Sequence, residues 1–221
     1  MFIVRILATL ILISSFTLVS YAQDDPIIDN SDYVQSHVLH KEGLEMLRNR
    51  QLQEALDRFS SAIKLNPYNS DFFYGRSQAW YYLNRMAEAE SDVLKAIKLA
   101  EGQADYHNFA GTVLFKLNKR KESLQHFTIA LNSFNSTDVP VKAANIYFNR
   151  ANLHLAMKNY NEAILDFSEA IQIDPSLDIA YHFRGVAKIR MNMKETACED
   201  FATSFDLGYD RAKDFITRYC K

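Results

Sequence analysis

The side chains best suited to chemistry in this chain recur at fixed distances. Arg76 and Asp92 stand sixteen residues apart, as do Arg150 and Asp166, and Arg184 and Asp200. Glu42 and Arg58 keep the same spacing with the charges exchanged. An acid and a base that trade places argue for contact within each pair, a lock between facing elements rather than a ligand-binding charge. Exposed contacts of this kind contribute at most about 1 kcal/mol. Six histidines invite a metal site. His37 and His40 share a helical face, but no Cys, Asp or Glu completes a set with known ligand spacing, and His-Glu-x-x-His is absent. His107, His126, His154 and His182 fall one to a segment and read as packing or surface residues. Neither a metal nor a cofactor is expected. The chain has no Gly-x-Ser-x-Gly elbow, Gly-rich phosphate loop or Cys-His nucleophile arrangement. Its carboxylates are spread without convergence, so no enzyme is expected.

Composition supports a folded helical chain. Of 221 residues, 48% are hydrophobic and 24% charged, which argues against disorder. Six glycines and four prolines are too few for a protein built on many tight turns, which favours helices. The net charge of −2 leaves no basic surplus for phosphates, so nucleic acid is not the expected partner. Two cysteines are too few for a disulfide-dense scaffold.

Residues 1–22 differ from the rest. Arg5 is their one charge, an apolar run follows from Ile6, and Ser20-Tyr21-Ala22 supplies small-x-small. This is the layout of a secretory signal, with cleavage expected after Ala22 and a polar linker over 23–35. The competing reading is an uncleaved anchor, but Ile6–Ala22 is short for a span and is interrupted by Ser and Thr. No cysteine near the exit site offers a lipid attachment point, and no later segment is apolar enough to cross a bilayer. The mature chain is expected in an oxidising compartment, periplasmic or secreted, and not membrane-spanning.

The remainder repeats. A small residue stands at Ala55, Ala89, Ser123, Ala163 and Ala197, with spacings of 34, 34, 40 and 34. Four residues further on come Phe59, Val93, Phe127, Phe167 and Phe201, and seven further on Ala62, Ala96, Ala130, Ala170 and Ser204. Twelve residues before each stands another small residue: Gly43, Ser77, Gly111, Ala151 and Gly185. Small residues at these places let two helix backbones approach closely, and the aromatic between them fills the groove. Asn84, Asn118 and Asn192 suit a left-handed turn.

This period and these residues resemble the tetratricopeptide repeat, whose units are pairs of antiparallel helices. The resemblance covers 36–207, in units 36–69, 70–103, 104–137, 144–177 and 178–207. It implies an all-α fold, a right-handed α-solenoid of five hairpins. Helices are expected over 33–49, 52–65, 70–83, 86–100, 104–117, 120–134, 140–157, 160–173, 177–191 and 194–207. Residues 208–221 form a capping helix, over about 209–220, that shields the last unit. Six extra residues around Asn135–Pro140 are expected to form a longer loop after unit three. The Ala197-Cys198-Glu199-Asp200-Phe201 segment and the Tyr219-Cys220 ending are similar to the tails of exported bacterial repeat proteins.

The two cysteines flank Gly208, Cys198 ten residues before it and Cys220 twelve after. At ~1.5 Å per residue a turn at Gly208 brings both sulfurs to nearly the same level. A disulfide that staples the cap is expected; two unpaired thiols are the alternative.

The resemblance implies a non-catalytic adaptor that holds a peptide or a partner's helix on its concave side. By helical spacing and the family's geometry, the peptide-binding positions are Tyr74, Gln78, Tyr81, Tyr82, Asn108, Thr112, Phe115, Asn145, Phe148, Asn149, Asn152 and His182. None of the three windows that would match the family's carboxylate clamp has the required cations, so an uncharged or mildly mixed segment is expected. Tyr74→Ala with Asn149→Ala is expected to weaken capture with little effect on stability. The rival reading is a structural component of an envelope assembly that uses its outer surface or self-associates. Oligomeric state stays open.

Overall fold

The computed structural model describes residues 28–133 and 140–220, so the expected signal over 1–22 lies outside the described residues, as do most of the six extra residues after unit three. The described residues are helical with short connections. Helices α1 (Asn30–Arg48) and α2 (Leu52–Leu65) form the first hairpin, α3 (Ser70–Tyr82) and α4 (Met86–Leu99) the second, and α5 (Ala104–Lys116) and α6 (Arg120–Asn132) the third. The fourth pairs α7 (Pro140–Ala156) with α8 (Tyr160–Ile173), the fifth α9 (Asp178–Arg190) with α10 (Lys194–Asp206), and α11 (Ala212–Tyr219) follows. Each odd helix packs on the even helix after it, and each even helix on the next odd one, which makes an all-α solenoid.

One turn recurs in every hairpin. Arg50, Asn84, Asn118, Lys158 and Asn192 all have φ between +60° and +64°. In each case the next residue's N–H reaches back to the carbonyl five before it, from Gln51 to Met46, Arg85 to Trp80, Lys119 to Leu114, Asn159 to His154 and Met193 to Lys188, at 2.8–2.9 Å. These bonds satisfy carbonyls left over at the helix end. Between units, Asn66 and Asp174, each just before a proline, accept the backbone N–H two residues on, at 3.1 and 3.0 Å.

The core is a line of aromatic rings in slots made by small residues. Phe59, Phe127, Phe167 and Phe201 are buried, and Val93 takes the place in unit two. Phe59 lies between Gly43 of its own unit and Gly75 of the next; a Cβ at either would sit 2.7 Å from the ring. The slot exists because those positions have no side chain. Ala79 of α3 shares the Phe59 cluster and Ala187 of α9 the Phe167 cluster, so these two rings also join their units to the next.

Two boundaries differ from expectation. The linker expected up to residue 35 is helical from Asn30. Ser36, Leu39 and Gly43 form a buried face, and Tyr33 lies against His37 with ring centroids 4.3 Å apart, so the polar composition there does not stop the helix. The cap begins at Ala212 rather than 209, because Gly208 at φ +109° and a turn through Asp210-Arg211 intervene. Cys198 and Cys220 are bonded, with their Cα atoms 5.6 Å apart, so α11 is covalently stapled to α10.

Candidate functional site

The odd helices meet one another along one side of the solenoid, α1 with α3, α5 with α7 and α7 with α9. The twelve positions read from the sequence all fall on odd helices, α3, α5, α7 and α9, and the structure sorts them into three groups.

The first group is aromatic and lies on α3 and α5. The Tyr74 ring packs 4.7 Å from Tyr106 and 5.6 Å from Phe109, and Tyr81 lies 5.4 Å from Phe109 and 5.7 Å from Tyr82. Burial, with the Asp105 charge adding and a bond to Gln78 opposing, pushes the Tyr74 hydroxyl up to about 12. Tyr106 donates its hydroxyl to Asp71, a second tie between the two helices. Tyr82 is 49% exposed and lies under the Arg50 guanidinium, 4.4 Å from the ring centroid. Gln78 and Tyr82, with Leu47, Arg48 and Arg50, line a shallow pocket. Tyr74 is thus part of the joint between units two and three. The expectation that Tyr74→Ala leaves stability nearly unchanged does not fit, since it would empty a half-buried ring site.

The second group forms a pocket of about 430 Å³ between α5, α7 and α9. Thr112, Phe115, Asn149 and Asn152 line it with Lys116, Phe127, Leu155, Ala156 and Phe183. Asn149 donates to the Asn108 side chain at 3.1 Å, and Thr112 donates to the Asn108 carbonyl at 3.0 Å. Amide groups therefore rim an apolar floor, a surface that can both bury a side chain and bond to a peptide backbone. Asn145 is exposed beyond this pocket. At the edge, Lys142 meets Asp105 at 2.6 Å.

The third group does not face the groove. His182 is 3% exposed and lies beneath the cap, its ring 4.9 Å from Tyr209 and 4.6 Å from Phe215. It does not line the groove as its spacing suggests, because the stapled α11 covers it. Burial, with the Arg211 charge adding, lowers its proton affinity. Phe148 turns toward Phe167 and Phe183, 5.8 and 6.4 Å away, and joins the wall between units four and five.

The charged pairs lie away from the pocket and meet. Arg76 donates Nε and Nη2 to the two Asp92 oxygens at 2.7 and 2.8 Å, Arg150 to Asp166 at 2.7 and 2.7 Å, and Arg184 to Asp200 at 3.0 and 2.6 Å. A further guanidinium nitrogen reaches Ser60 from Arg76 and Ser168 from Arg184, on the preceding unit. Arg58 and Glu42 are 3.3 Å apart and exposed. Unit three has none of this; His107 and His126 meet there instead, with their Nδ1 atoms 2.9 Å apart. Reading the histidines one by one missed that contact, although the 34-residue register marks the place where the pair is missing. No group of three or more His, Cys, Asp or Glu is arranged to hold a metal among the described residues.

Residues 40–105 and 144–177 match family profiles described as tetratricopeptide repeat. These two segments are tetratricopeptide repeats. A rice (Oryza sativa subsp. japonica) protein, "Protein SGT1 homolog", is 39% identical over 69 residues, 31% of this chain. The chain spans only 18% of that relative's length. Among solved structures, YrrB, described as "a TPR protein with an unusual peptide-binding site", is 21% identical with a TM-score of 0.65, covering 82% of this chain and 89% of its own. The pilF protein of Pseudomonas aeruginosa is 17% identical with a TM-score of 0.71, covering 85% and 87%. At such identities the likeness is one of fold, and the repeats of this chain share it.

Proposed function

We propose that this chain is an exported, non-catalytic scaffold whose odd-helix surface holds an extended peptide segment of a partner protein. The observation that carries this reading is the pocket at Thr112, Phe115, Asn149 and Asn152, where amides surround an apolar floor large enough for one bulky side chain. The Asn108, Asn149 and Asn152 amides each offer a donor and an acceptor to a peptide backbone. Few formal charges line the pocket, so binding should change little with salt. The peptide-binding description of YrrB concerns that protein, and it lends support by fold alone. Export is inferred from the layout of residues 1–22, and the Cys198–Cys220 bridge suits an oxidising compartment. The repeat units are proposed as 36–69, 70–103, 104–137, 144–177 and 178–207.

The rival is a structural role through the outer surface. One observation favours it: Leu165 is 66% and Ile129 42% exposed, where the equivalent residues of the other units are polar. A display library of random peptides selected on the immobilised protein separates the two. Asn152→Trp fills the pocket and should weaken selected peptides at least about tenfold, the equivalent of 1.4 kcal/mol. Leu165→Glu on the outer face should leave them unchanged. Peptides that survive Asn152→Trp but are lost with Leu165→Glu would refute the groove and support the rival.

A further inference from the structure

We propose that unit three is an acid-sensitive joint of the solenoid, held by a histidine–histidine contact where the other four units carry a carboxylate–guanidinium lock. The register shows how it arises. Adding 34 to Arg76 and Asp92 gives Ala110 and His126. In units two, four and five the guanidinium also lies over the ring three residues before it, Arg76 over Phe73 at 5.7 Å, Arg150 over Tyr147 at 5.7 Å and Arg184 over Tyr181 at 5.4 Å. In unit three that ring is His107 and the arginine is Ala110. The imidazole of His107 fills the space a guanidinium would take and reaches His126, which stands in the carboxylate's place. The two Nδ1 atoms are 2.9 Å apart and the ring planes 30° from parallel.

At that distance one Nδ1 must donate and the other accept, so the two rings hold opposite tautomers. A proton added to the acceptor sets two donors against each other. Burial, aided by the neighbouring His126, lowers the proton affinity of His107. Burial also lowers that of His126, with Glu122 opposing. Several charges on the packed helices are engaged elsewhere. Glu90 of α4 holds Lys119, Lys142 of α7 holds Asp105, Arg150 of α7 holds Asp166, and Asp71 of α3 accepts the hydrogen bond of the Tyr106 hydroxyl. Glu122, one turn before His126, is therefore the carboxylate that acts on the pair.

The sign follows from linkage. The folded pair binds protons less readily than the unfolded chain, whose histidines titrate near 6.5. The stability it contributes is complete above that value and is lost as pH falls below it. Helix α5 carries Asn108, Thr112 and Phe115, so the groove should loosen from its middle in mild acid. That last step rests on the groove reading above; the acid sensitivity of the joint does not.

Hydrogen exchange on the full chain at about pH 7.5 and about pH 5.5, corrected for intrinsic rates, tests it without any ligand. His40, His154 and His182 also have lowered proton affinity, through burial, and give a background loss in the other units. The comparison is therefore with the triple variant His107→Phe, Ala110→Arg, His126→Asp, which writes the arrangement of unit two into unit three. In the unaltered chain α5 and α6 amides should lose about fivefold more protection than those of unit two, the equivalent of one intramolecular hydrogen bond. The variant should abolish that excess. An equal loss in every unit, or an excess that persists in the variant, overturns the proposal. Should the variant not fold by circular dichroism, imidazole nitrogen NMR of the unaltered chain decides. Both histidines titrating below the ordinary value supports the joint, and either one at or above it overturns it.

Discussion

Opening the Cys198–Cys220 bridge should release the cap without melting the solenoid. The cysteines are 22 residues apart in sequence. In the chain-entropy model, closing a loop of that length removes about 11 cal/mol/K from the open ensemble, or about 3 kcal/mol at 25 °C. Helix α11 has eight residues, too short to persist alone in water. What docks it besides the bridge is modest: buried Ala212, and Phe215 with its ring 5.2 Å from Phe201 and 4.6 Å from His182. Losing about 3 kcal/mol shifts the docking equilibrium by roughly two orders of magnitude. Arg211, Lys213 and Arg218 lie in or beside the cap, so limited trypsinolysis with intact-mass detection reads it directly. Cys220→Ser, or reduction of the native chain, should speed cleavage at these sites roughly a hundredfold and leave cuts in units one to three nearly unchanged, because solenoid units couple only to their neighbours. Equal cleavage rates in the oxidised and reduced chains would refute the reasoning, since the cap would then be held by packing alone.

Two further substitutions test the core and the locks. Gly75→Ala should gain up to about 1 kcal/mol in helix propensity. It should nonetheless destabilise by about 1–2 kcal/mol net, because the new Cβ lies 2.7 Å from a Phe59 ring already pressed against Gly43; an unchanged or raised urea midpoint would contradict this. Asp166→Ala leaves a half-buried Arg150 without its carboxylate and should cost about 2 kcal/mol, whereas Glu42→Ala at the exposed Arg58 pair should cost less than about 1 kcal/mol. Equal midpoint shifts for the two would show that burial does not set the strength of these locks.

Much of the architecture was legible because it is periodic. The small residues at Gly43, Ala55 and their equivalents place each Phe, and the sixteen-residue spacing placed all four charged pairs. The two cysteines could be paired because Gly208 stands almost midway between them. The site was less legible. Face assignment put His182 in the groove, because helical spacing shows which side a residue takes and not what lies over it. Tyr74 lies on a first helix of its unit, as its spacing suggests, but its contacts with Tyr106 and Phe109 depend on how two units stack. Helix α1 begins at Asn30, before the expected 33, in the polar run Asn30-Ser31-Asp32, which carries no hydropathy signal. The histidine contact was hidden for another reason: it arises from three simultaneous departures from the repeat, at residues 107, 110 and 126, none of which signifies alone.

Val93 gives the seam between units two and three a character of its own. A valine brings fewer atoms to that interface than the phenylalanine of the other units, and so less dispersion contact. The deficit is met on the groove side, where Tyr74 and Tyr81 lie against Tyr106 and Phe109. On the groove reading proposed above, the partly exposed rings of this set, Tyr81 and Phe109, would also lie within reach of a ligand. A peptide lying across them would act as a splint, raising the flexural stiffness of the solenoid at this seam. Occupancy would then be felt as a change in curvature as well as in affinity.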